Sequence, residues 1–177
     1  MLTDLALPVS LMAQGETISV RRAEQRDLHA LMLLLSDDPI SAGRGDLNIG
    51  DDEPAYRQAL MRILVDESNE LVVAEDAAGR LVGTLQLTVI PGMARRGSTR
   101  LLVEAVRVAS ARRSAGIGST LMHWVIDTAA PTTGATLIQL TSDAARADAH
   151  RFYKRLGFVD SHIGFKYTVE PQATSEA

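Results

Sequence analysis

The hydrophobic pattern of this chain switches repeatedly between the period of a strand and the period of a helix, and this switching constrains the fold most. Residues 71–75 and 81–90 alternate like strands, and the segment 76–79 between them has the composition of a hairpin turn. Residues 27–35 and 52–64 instead carry apolar side chains at helical spacing. The order along the chain, βααβββαβαβ, predicts an α/β (α+β) fold with helices packed on a mixed sheet.

The other predicted elements complete this order. Asp52 is predicted to cap the second helix, with Pro54 in its first turn. A long loop, residues 36–52, separates the first two helices. The remaining strands are predicted at residues 18–21, 99–109, 137–141 and 159–168, and the remaining helices at 116–129 and 144–156.

The composition restricts the functional class. A chain of 177 residues allows a single domain, so a two-domain kinase or dehydrogenase is disfavoured. The absence of cysteine excludes disulfides, thiolate metal sites and a cysteine nucleophile. A net charge of −4 without a basic cluster argues against nucleic-acid and anionic-membrane partners and favours a cationic one.

The two ends of the chain are predicted to lie outside the domain. Residues 1–15 are apolar but lack a basic start, and Pro8 interrupts them, so we expect no signal peptide, no membrane span and a cytoplasmic location. The expected organisation is an N-terminal arm at 1–17, one domain at 18–168 and a flexible tail at 169–177. The apolar arm is the expected contact of a homodimer.

A glycine-containing loop after the predicted fourth strand has the features of a phosphate-binding site. The strand ends near Val108, a basic segment of small residues follows, and a helix begins at Gly116. A helix start offers unpaired N–H groups and the positive end of the helix dipole, and glycines let ligand oxygens approach the backbone. The segment lacks both the Gly-Lys-Ser/Thr of a Walker A loop and the third glycine of a dinucleotide fingerprint. A purely structural role, close packing of helix on sheet, is the alternative.

Two segments together resemble the GNAT family of N-acetyltransferases. Arg113-Ser114-Ala115-Gly116-Ile117-Gly118 resembles the family's Q/R-x-x-G-x-G/A pyrophosphate loop. His150-Arg151-Phe152-Tyr153-Lys154-Arg155-Leu156-Gly157-Phe158 resembles its F-Y-x-x-x-G-F segment. The resemblance implies a mostly antiparallel sheet, splayed between strands 4 and 5, with helices on both faces and acetyl-CoA bound in the gap.

The resemblance also implies which residues hold acetyl-CoA. The pyrophosphate is expected at the loop, and the pantetheine arm is expected on backbone groups of the preceding strand. Tyr153 is expected near the cofactor sulfur, where its phenol can protonate the departing thiolate. The cofactor-binding residues implied are Val106, Arg107, Val108, Arg113, Ser114, Ala115, Gly116, Ile117, Gly118, Ser119 and Tyr153.

Glu104 is the candidate general base. In sequence it shares the alternation of Leu102, Val106 and Val108, which would place a carboxylate on the same strand face as apolar neighbours. An attacking amine must lose a proton, and similar GNAT enzymes often place a base Glu on this strand. The alternative is a solvated Glu or one that is ion-paired with Arg100 or Arg107.

The acceptor is expected at an acidic loop. Six acids lie between the first two helices, and in GNAT enzymes this region commonly borders the acceptor pocket. Such a loop would concentrate a cationic amine, although it also fits a solvated surface. The expected substrate-binding residues are Asp37, Asp38, Asp52, Glu53 and His162, with Asp46 and Asp51 completing the acidic set.

The acceptor favoured by this reasoning is a small-molecule amine. The acidic loop and the size of the chain resemble aminoglycoside N-acetyltransferases, including the kasugamycin-acetylating type, whose activity confers antibiotic resistance. Acetylation of a peptide, protein or polyamine, or a non-catalytic acetyl-CoA-binding regulator, are the alternatives. The four histidines show no metal-ligand spacing, so no metal is expected.

Overall fold

A six-stranded sheet, with its strands in chain order, is the scaffold of the molecule. The computed structural model describes residues 1–38, 43 and 50–169, and the chain divides into two units, Met1–Leu140 and Thr141–Ala177. All six strands belong to the first unit. They are β1 (Val9–Ala13), β2 (Glu16–Arg22), β3 (Asn69–Glu75), β4 (Leu81–Ile90), β5 (Arg100–Val108) and β6 (Leu137–Leu140).

Strand directions make the sheet mixed and mostly antiparallel, as predicted. Each pair from β1 to β5 is antiparallel, and β6 runs parallel to β5. The β5–β6 register begins at Arg100↔Leu137 and ends at Val103↔Leu140. Beyond that point β5 still pairs with β4, while no described strand pairs with its other edge. This open stretch between β5 and β6 lies where the family resemblance implies the splay. β5 and β6 correspond to the fourth and fifth predicted strands, because β1 was not among the predicted ones.

Helices cover both faces of the sheet. The helices of the first unit are α1 (Leu28–Ser36), α2 (Glu53–Leu64) and α3 (Ile117–Trp124), and α3 continues through a π-helical turn, Val125–Ala129, into Ala130–Thr133. Short helical turns occupy Leu2–Asp4, Gln25–Asp27, Gly50–Asp52, Ala94–Gly97 and Ser110–Arg112. The second unit contains α4 (Ala147–Arg155).

Register and packing identify the two faces. Leu71 and Val73 belong to an apolar cluster with side chains of α1 and α2, and they lie opposite Gln86 and Thr84 of β4. We call this side of the sheet the α1/α2 face. Gly83 lies on the opposite side, where an added Cβ would be 3.2 Å from Leu121 and 3.5 Å from Ile117 of α3. Glycine at this position therefore lets α3 pack directly on the sheet.

A buried ion-pair network fixes the start of α1. The Asp27 carboxylate, 4% exposed, accepts hydrogen bonds from the Arg21 guanidinium at 2.7 and 2.8 Å and from the Glu24 N–H at 2.8 Å. Arg21 also donates to Glu75 on β3. Burial acts to raise the pKa of Asp27, but the hydrogen bonds from Arg21 and Glu24 and the Arg21 charge outweigh it, so its pKa is lowered.

A second buried carboxylate, Glu70, behaves in the opposite way. It accepts a 2.7 Å hydrogen bond from Arg22 Nε, and Arg22 also donates to the carbonyls of Leu2 and Leu5. Burial raises the pKa of Glu70, because the single Arg22 contact does not compensate for the lost water.

Several predicted elements need correction. The strand predicted at 159–168 is wrong, since the described residues 158–169 contain neither helix nor strand. β1 was not predicted, although it pairs along its whole length with β2. Asp52 does occupy the N-cap position of α2, with Pro54 in the first turn, but its side chain makes no capping hydrogen bond. Residues 170–177 of the predicted tail lie outside the described residues.

Candidate active site

The loop between β5 and α3 leaves several backbone N–H groups outside the helical hydrogen-bond ladder. Gly116 adopts a left-handed conformation, φ +78°, immediately before α3. The N–H of Thr120 donates to the Gly116 carbonyl at 2.9 Å, so the N–H groups of Ile117, Gly118 and Ser119 precede the helical hydrogen-bond ladder. These groups lie at the positive end of the helix dipole, and such a helix start fits a pyrophosphate.

The arginines at this loop have different partners. Arg112 pairs with Glu16 and lies 3.5 Å from the Asp76 carboxylate, so its charge is already compensated. Arg113 is exposed, and among the described residues its guanidinium donates to a backbone carbonyl, that of Asp37, at 2.7 Å. Arg113 therefore supplies the positive charge that a bound anion would meet.

The β1–β2 hairpin supports the same loop. Its two-residue turn, Gln14-Gly15, has positive φ at both positions. A Cβ on Gly116 would lie 2.6 Å from Gln14 Cγ, and Thr120 Oγ1 donates to the Met12 carbonyl at 3.1 Å. Sequence reasoning missed this support because Gln14 carries no motif, and only the pairing of β1 with β2 places it here.

A β-bulge interrupts β5 just before the loop. Gln86 lies opposite Glu104 and Thr84 lies opposite Arg107, so Ala105 and Val106 together face the single residue Leu85. Ala105 has φ +49°, a conformation that non-glycine residues rarely adopt. The extra residue of a bulge is left out of the regular pairing between β4 and β5.

The bulge corrects the predicted alternation of β5. Glu104 and Arg107 lie on the α1/α2 face, because their partners Gln86 and Thr84 do. Val108 pairs with Gly83 and lies on the α3 face. The expectation that Glu104 shares a face with Val108 is therefore wrong, since the inserted residue reverses the alternation.

Glu104 is exposed on its face. Arg100 donates to Gln139 at 3.1 Å and Arg107 donates to the Val106 carbonyl at 2.9 Å. Among the residues that the structure describes, Glu104 has no ion-pair partner, so the ion-paired alternative finds no support. Its carboxylate is therefore open to solvent.

The acidic residues predicted for the acceptor have varied surroundings. Asp37 contacts the glycine loop, where its carboxylate accepts a 2.5 Å hydrogen bond from the Ser110 N–H. Asp38 is half-buried, Asp52 is the N-cap residue of α2, and Glu53 pairs with Arg57 one turn later. Asp46 lies outside the described residues.

The second unit holds Tyr153 and His162. Tyr153 is half-buried on α4, where its ring packs edge-on against Phe152 and Phe158, with centroids 5.1 and 5.8 Å apart. His162 is exposed and its Nδ1 lies 2.8 Å from Ser161 Oγ. The aromatic contacts orient the Tyr153 ring within this unit.

No three His, Asp or Glu side chains of residues 1–38, 43 and 50–169 are placed to hold a metal ion. Within the same ranges, no helix has the length and apolar character needed to cross a membrane.

Comparison with known proteins identifies the family. The sequence model of the acetyltransferase (GNAT) family matches residues 23–158. The crystal structure of a transcriptional regulator from Bacillus halodurans C-125 is similar, with 39% sequence identity and a TM-score of 0.78 over 86% of this chain and 99% of that one. Glucosamine-6-phosphate N-acetyltransferase from Arabidopsis thaliana shares the fold, with 18% identity and a TM-score of 0.68 over 88% and 100% of the two chains.

One relative matches the chain over a shorter stretch. An aminoalkylphosphonate N-acetyltransferase from Salmonella typhimurium is 43% identical over 53 residues, which span 30% of this chain and 34% of that enzyme. The GNAT model, by contrast, covers well over half of the chain. The protein therefore belongs to the acetyltransferase (GNAT) family.

Proposed function

We propose that this N-acetyltransferase moves the acetyl group of acetyl-CoA to the primary amine of a small-molecule acceptor. One observation carries the proposal: a single strand, β5, holds an exposed carboxylate and a bulge, and the glycine loop joins it to a helix start that fits a pyrophosphate. A base and an anion site on the same strand are what amine acetylation by a nucleotide-linked thioester requires.

The roles of the residues follow from their surroundings. Acetyl-CoA supplies an acetyl group activated as a thioester. The N–H groups of residues 117–119 and the Arg113 guanidinium hold its pyrophosphate, with residues 113–116 shaping the turn. Backbone groups of residues 106–108 lie along the splay, and an N–H there can donate to the thioester oxygen as charge develops on it.

Two side chains handle protons. Glu104 accepts a proton from the acceptor's ammonium group, directly or through a water, which frees the nitrogen lone pair for attack. Tyr153 is proposed as the group that protonates the leaving thiolate. Its role rests on the F-Y-x-x-x-G-F motif, and its aromatic neighbours give the phenol a fixed orientation within the second unit.

The acceptor is the finer part of the proposal. An aminoglycoside of the kasugamycin type is the class that the acidic loop favours, with Asp38, Asp52, Glu53 and His162 as its candidate contacts. Asp37 is a fifth candidate contact, and its carboxylate also accepts a hydrogen bond from the Ser110 N–H of the loop after β5. The match to the Salmonella enzyme favours a second class, the aminoalkylphosphonates, which carry an amine beside an anionic group.

A non-catalytic acetyl-CoA-binding regulator is a second candidate function. The similarity to the Bacillus halodurans protein, a transcriptional regulator, is the observation that favours it. Such a regulator would bind acetyl-CoA, and the substitutions Glu104→Gln and Tyr153→Phe would leave both this binding and its regulatory effect unchanged.

Thiol release from acetyl-CoA tests these alternatives. The protein contains no cysteine, so it adds no thiol background. The acceptor panel is kasugamycin, a second aminoglycoside, 2-aminoethylphosphonate, spermidine and a short peptide. We expect one small amine to react well and Glu104→Gln to abolish the rate. Tight acetyl-CoA binding with no reaction on any acceptor would favour the regulator.

A further inference from the structure

A chain of polar side chains crosses the α1/α2 face from β3 to Glu104. Asn69 Oδ1 accepts hydrogen bonds from Gln86 Nε2 at 2.9 Å and from Thr88 Oγ1 at 2.7 Å. Gln86 is the residue of β4 that lies directly opposite Glu104 in the ladder. Side chains paired in this way stand close together, with Cβ atoms roughly 5 Å apart.

The Asp66 carboxylate determines which way the hydrogen bonds among these polar side chains run. Asn69 Nδ2 donates to Asp66 Oδ2 at 2.8 Å, and an ionised carboxylate can only accept. The Asn69 amide must therefore point its nitrogen toward Asp66 and its oxygen toward β4. Gln86 must in turn offer its nitrogen to Asn69, because two amide oxygens cannot share a hydrogen bond.

Asp66 remains ionised at neutral pH. Hydrogen bonds from the Ser68 hydroxyl and N–H and from Asn69 lower its pKa. The orientation of both amides therefore holds in the pH range in which an acetyltransferase would work.

The amide oxygen of Gln86 is thus left as an acceptor beside a second acceptor, the Glu104 carboxylate. Within the described part of the chain, neither atom receives a hydrogen bond from another residue. Two adjacent acceptor groups repel an anion such as a phosphate or a carboxylate. A group with several N–H donors satisfies both of them. A primary ammonium carries three such donors and no acceptor.

We propose that Gln86 is a second acceptor-binding residue, whose Oε1 receives a hydrogen bond from the acceptor's primary ammonium while Glu104 receives another. Asn69 is a positioning residue that holds the Gln86 amide in the receiving orientation, and Asp66 fixes Asn69. The subsite selects a primary ammonium against a quaternary one of the same charge. This inference deepens the proposed function and depends on Glu104 facing the acceptor.

Ligand binding tests the subsite without knowledge of the natural acceptor. The full-length protein saturated with coenzyme A is titrated with n-propylammonium chloride, and side-chain amide resonances are followed by 15N NMR. The matched ligand is trimethyl-n-propylammonium, which has the same charge and no N–H donor. We expect the primary ammonium to shift the Gln86 amide signals and the quaternary ion to leave them unchanged. Equal shifts with both ions, or none with either, would overturn the proposal.

Variants test the same geometry. Gln86→Met keeps the length of the side chain and removes its acceptor, and we expect propylammonium binding to weaken at least about tenfold, as for a hydrogen bond to a charged group. Thr88→Val is the matched control, because it removes the other hydrogen bond to the same Asn69 oxygen, and its effect should stay below about threefold. Asn69→Leu should weaken binding by an intermediate amount.

Kinetics separate this proposal from the function it rests on. With an amine that the enzyme acetylates, Gln86→Met should raise the acceptor KM at least about tenfold and leave the acetyl-CoA KM unchanged. If no amine is acetylated but the NMR discrimination holds, the function fails and the subsite stands. If an amine is acetylated and Gln86→Met leaves its KM unchanged, the subsite fails and the function stands.

Discussion

Two buried carboxylates that both face an arginine should differ in how much stability is lost when their charge is removed. Asp27 accepts three hydrogen bonds, two of them from Arg21, and its pKa is lowered. Glu70 accepts one, from Arg22, and burial raises its pKa. The fold therefore stabilises the ionised form of Asp27 and disfavours the ionised form of Glu70.

The expected magnitudes follow from the contacts. In Asp27→Asn the amide oxygen can replace Oδ2, which keeps the bonds from Arg21 Nη1 and the Glu24 N–H, but its NH2 then faces Arg21 Nη2. One charge-assisted hydrogen bond is lost and two donors meet, so we expect a loss of about 2–4 kcal/mol in the free energy of unfolding. Glu70→Gln keeps an acceptor for Arg22 Nε and removes the charge that burial penalises. Its change should stay below about 1 kcal/mol.

The two carboxylates make the free energy of unfolding depend on pH in opposite directions. Asp27 stabilises the fold above its unfolded pKa of about 3.9, and this contribution is lost as pH falls through its lower folded pKa. Glu70 has a folded pKa above its unfolded value of about 4.3, so protonation stabilises the fold as pH falls through that raised pKa.

Urea unfolding of the wild type and both variants, at neutral pH and at about pH 5, measures these differences. The deficit of Asp27→Asn should persist at both pH values. Equal losses for the two variants at neutral pH, or a larger loss for Glu70→Gln, would refute the assignment of opposite roles.

Three further predictions concern catalysis and the cofactor loop. Glu104→Gln should lower kcat/KM for the amine at least about a hundredfold at neutral pH, and the deficit in a pH profile should shrink as the amine loses its proton unaided; a deficit independent of pH would contradict a base. Tyr153→Phe should lower kcat about tenfold or more while the acetyl-CoA Kd, measured by calorimetry, stays unchanged. Gly116→Ala combines a φ of +78° with a Cβ 2.6 Å from Gln14, and should cost about 1–2 kcal/mol of stability and weaken acetyl-CoA binding. Gly79→Ala is its control, since Gly79 has φ +75° and no atom within 4 Å of an added Cβ; equal acetyl-CoA affinities in the two would argue against the loop as the pyrophosphate site.

Local patterns were sufficient where neighbouring residues alone determine the structure. The bounds of β4, Leu81–Ile90, match the prediction because alternation runs unbroken up to a hairpin turn. In that turn the Gly79 N–H donates to the Asp76 carbonyl at 2.9 Å. The helix start at Gly116 followed equally from its glycine and the segment before it.

Features that depend on a distant partner were not predictable in this way. The bulge at Ala105 leaves no trace in sequence, because Val106 and Val108 continue the apolar alternation and only the register with β4 shows the inserted residue. The strand predicted at 159–168 had the right alternation, but alternation records only a tendency and a strand also needs a neighbour to pair with. The roles of Asp37 and Gln86 likewise come from residues far away in the chain.

Residues of the β1–β2 hairpin contact the glycine loop and the start of α3, and we expect them to influence the affinity for acetyl-CoA. Gln14 lies against Gly116, Glu16 neutralises Arg112, and the Met12 carbonyl holds Thr120. We therefore expect exchanges in this hairpin to alter acetyl-CoA affinity while every residue of the glycine loop stays the same. Relatives that share the loop but differ in the hairpin are expected to differ in cofactor affinity.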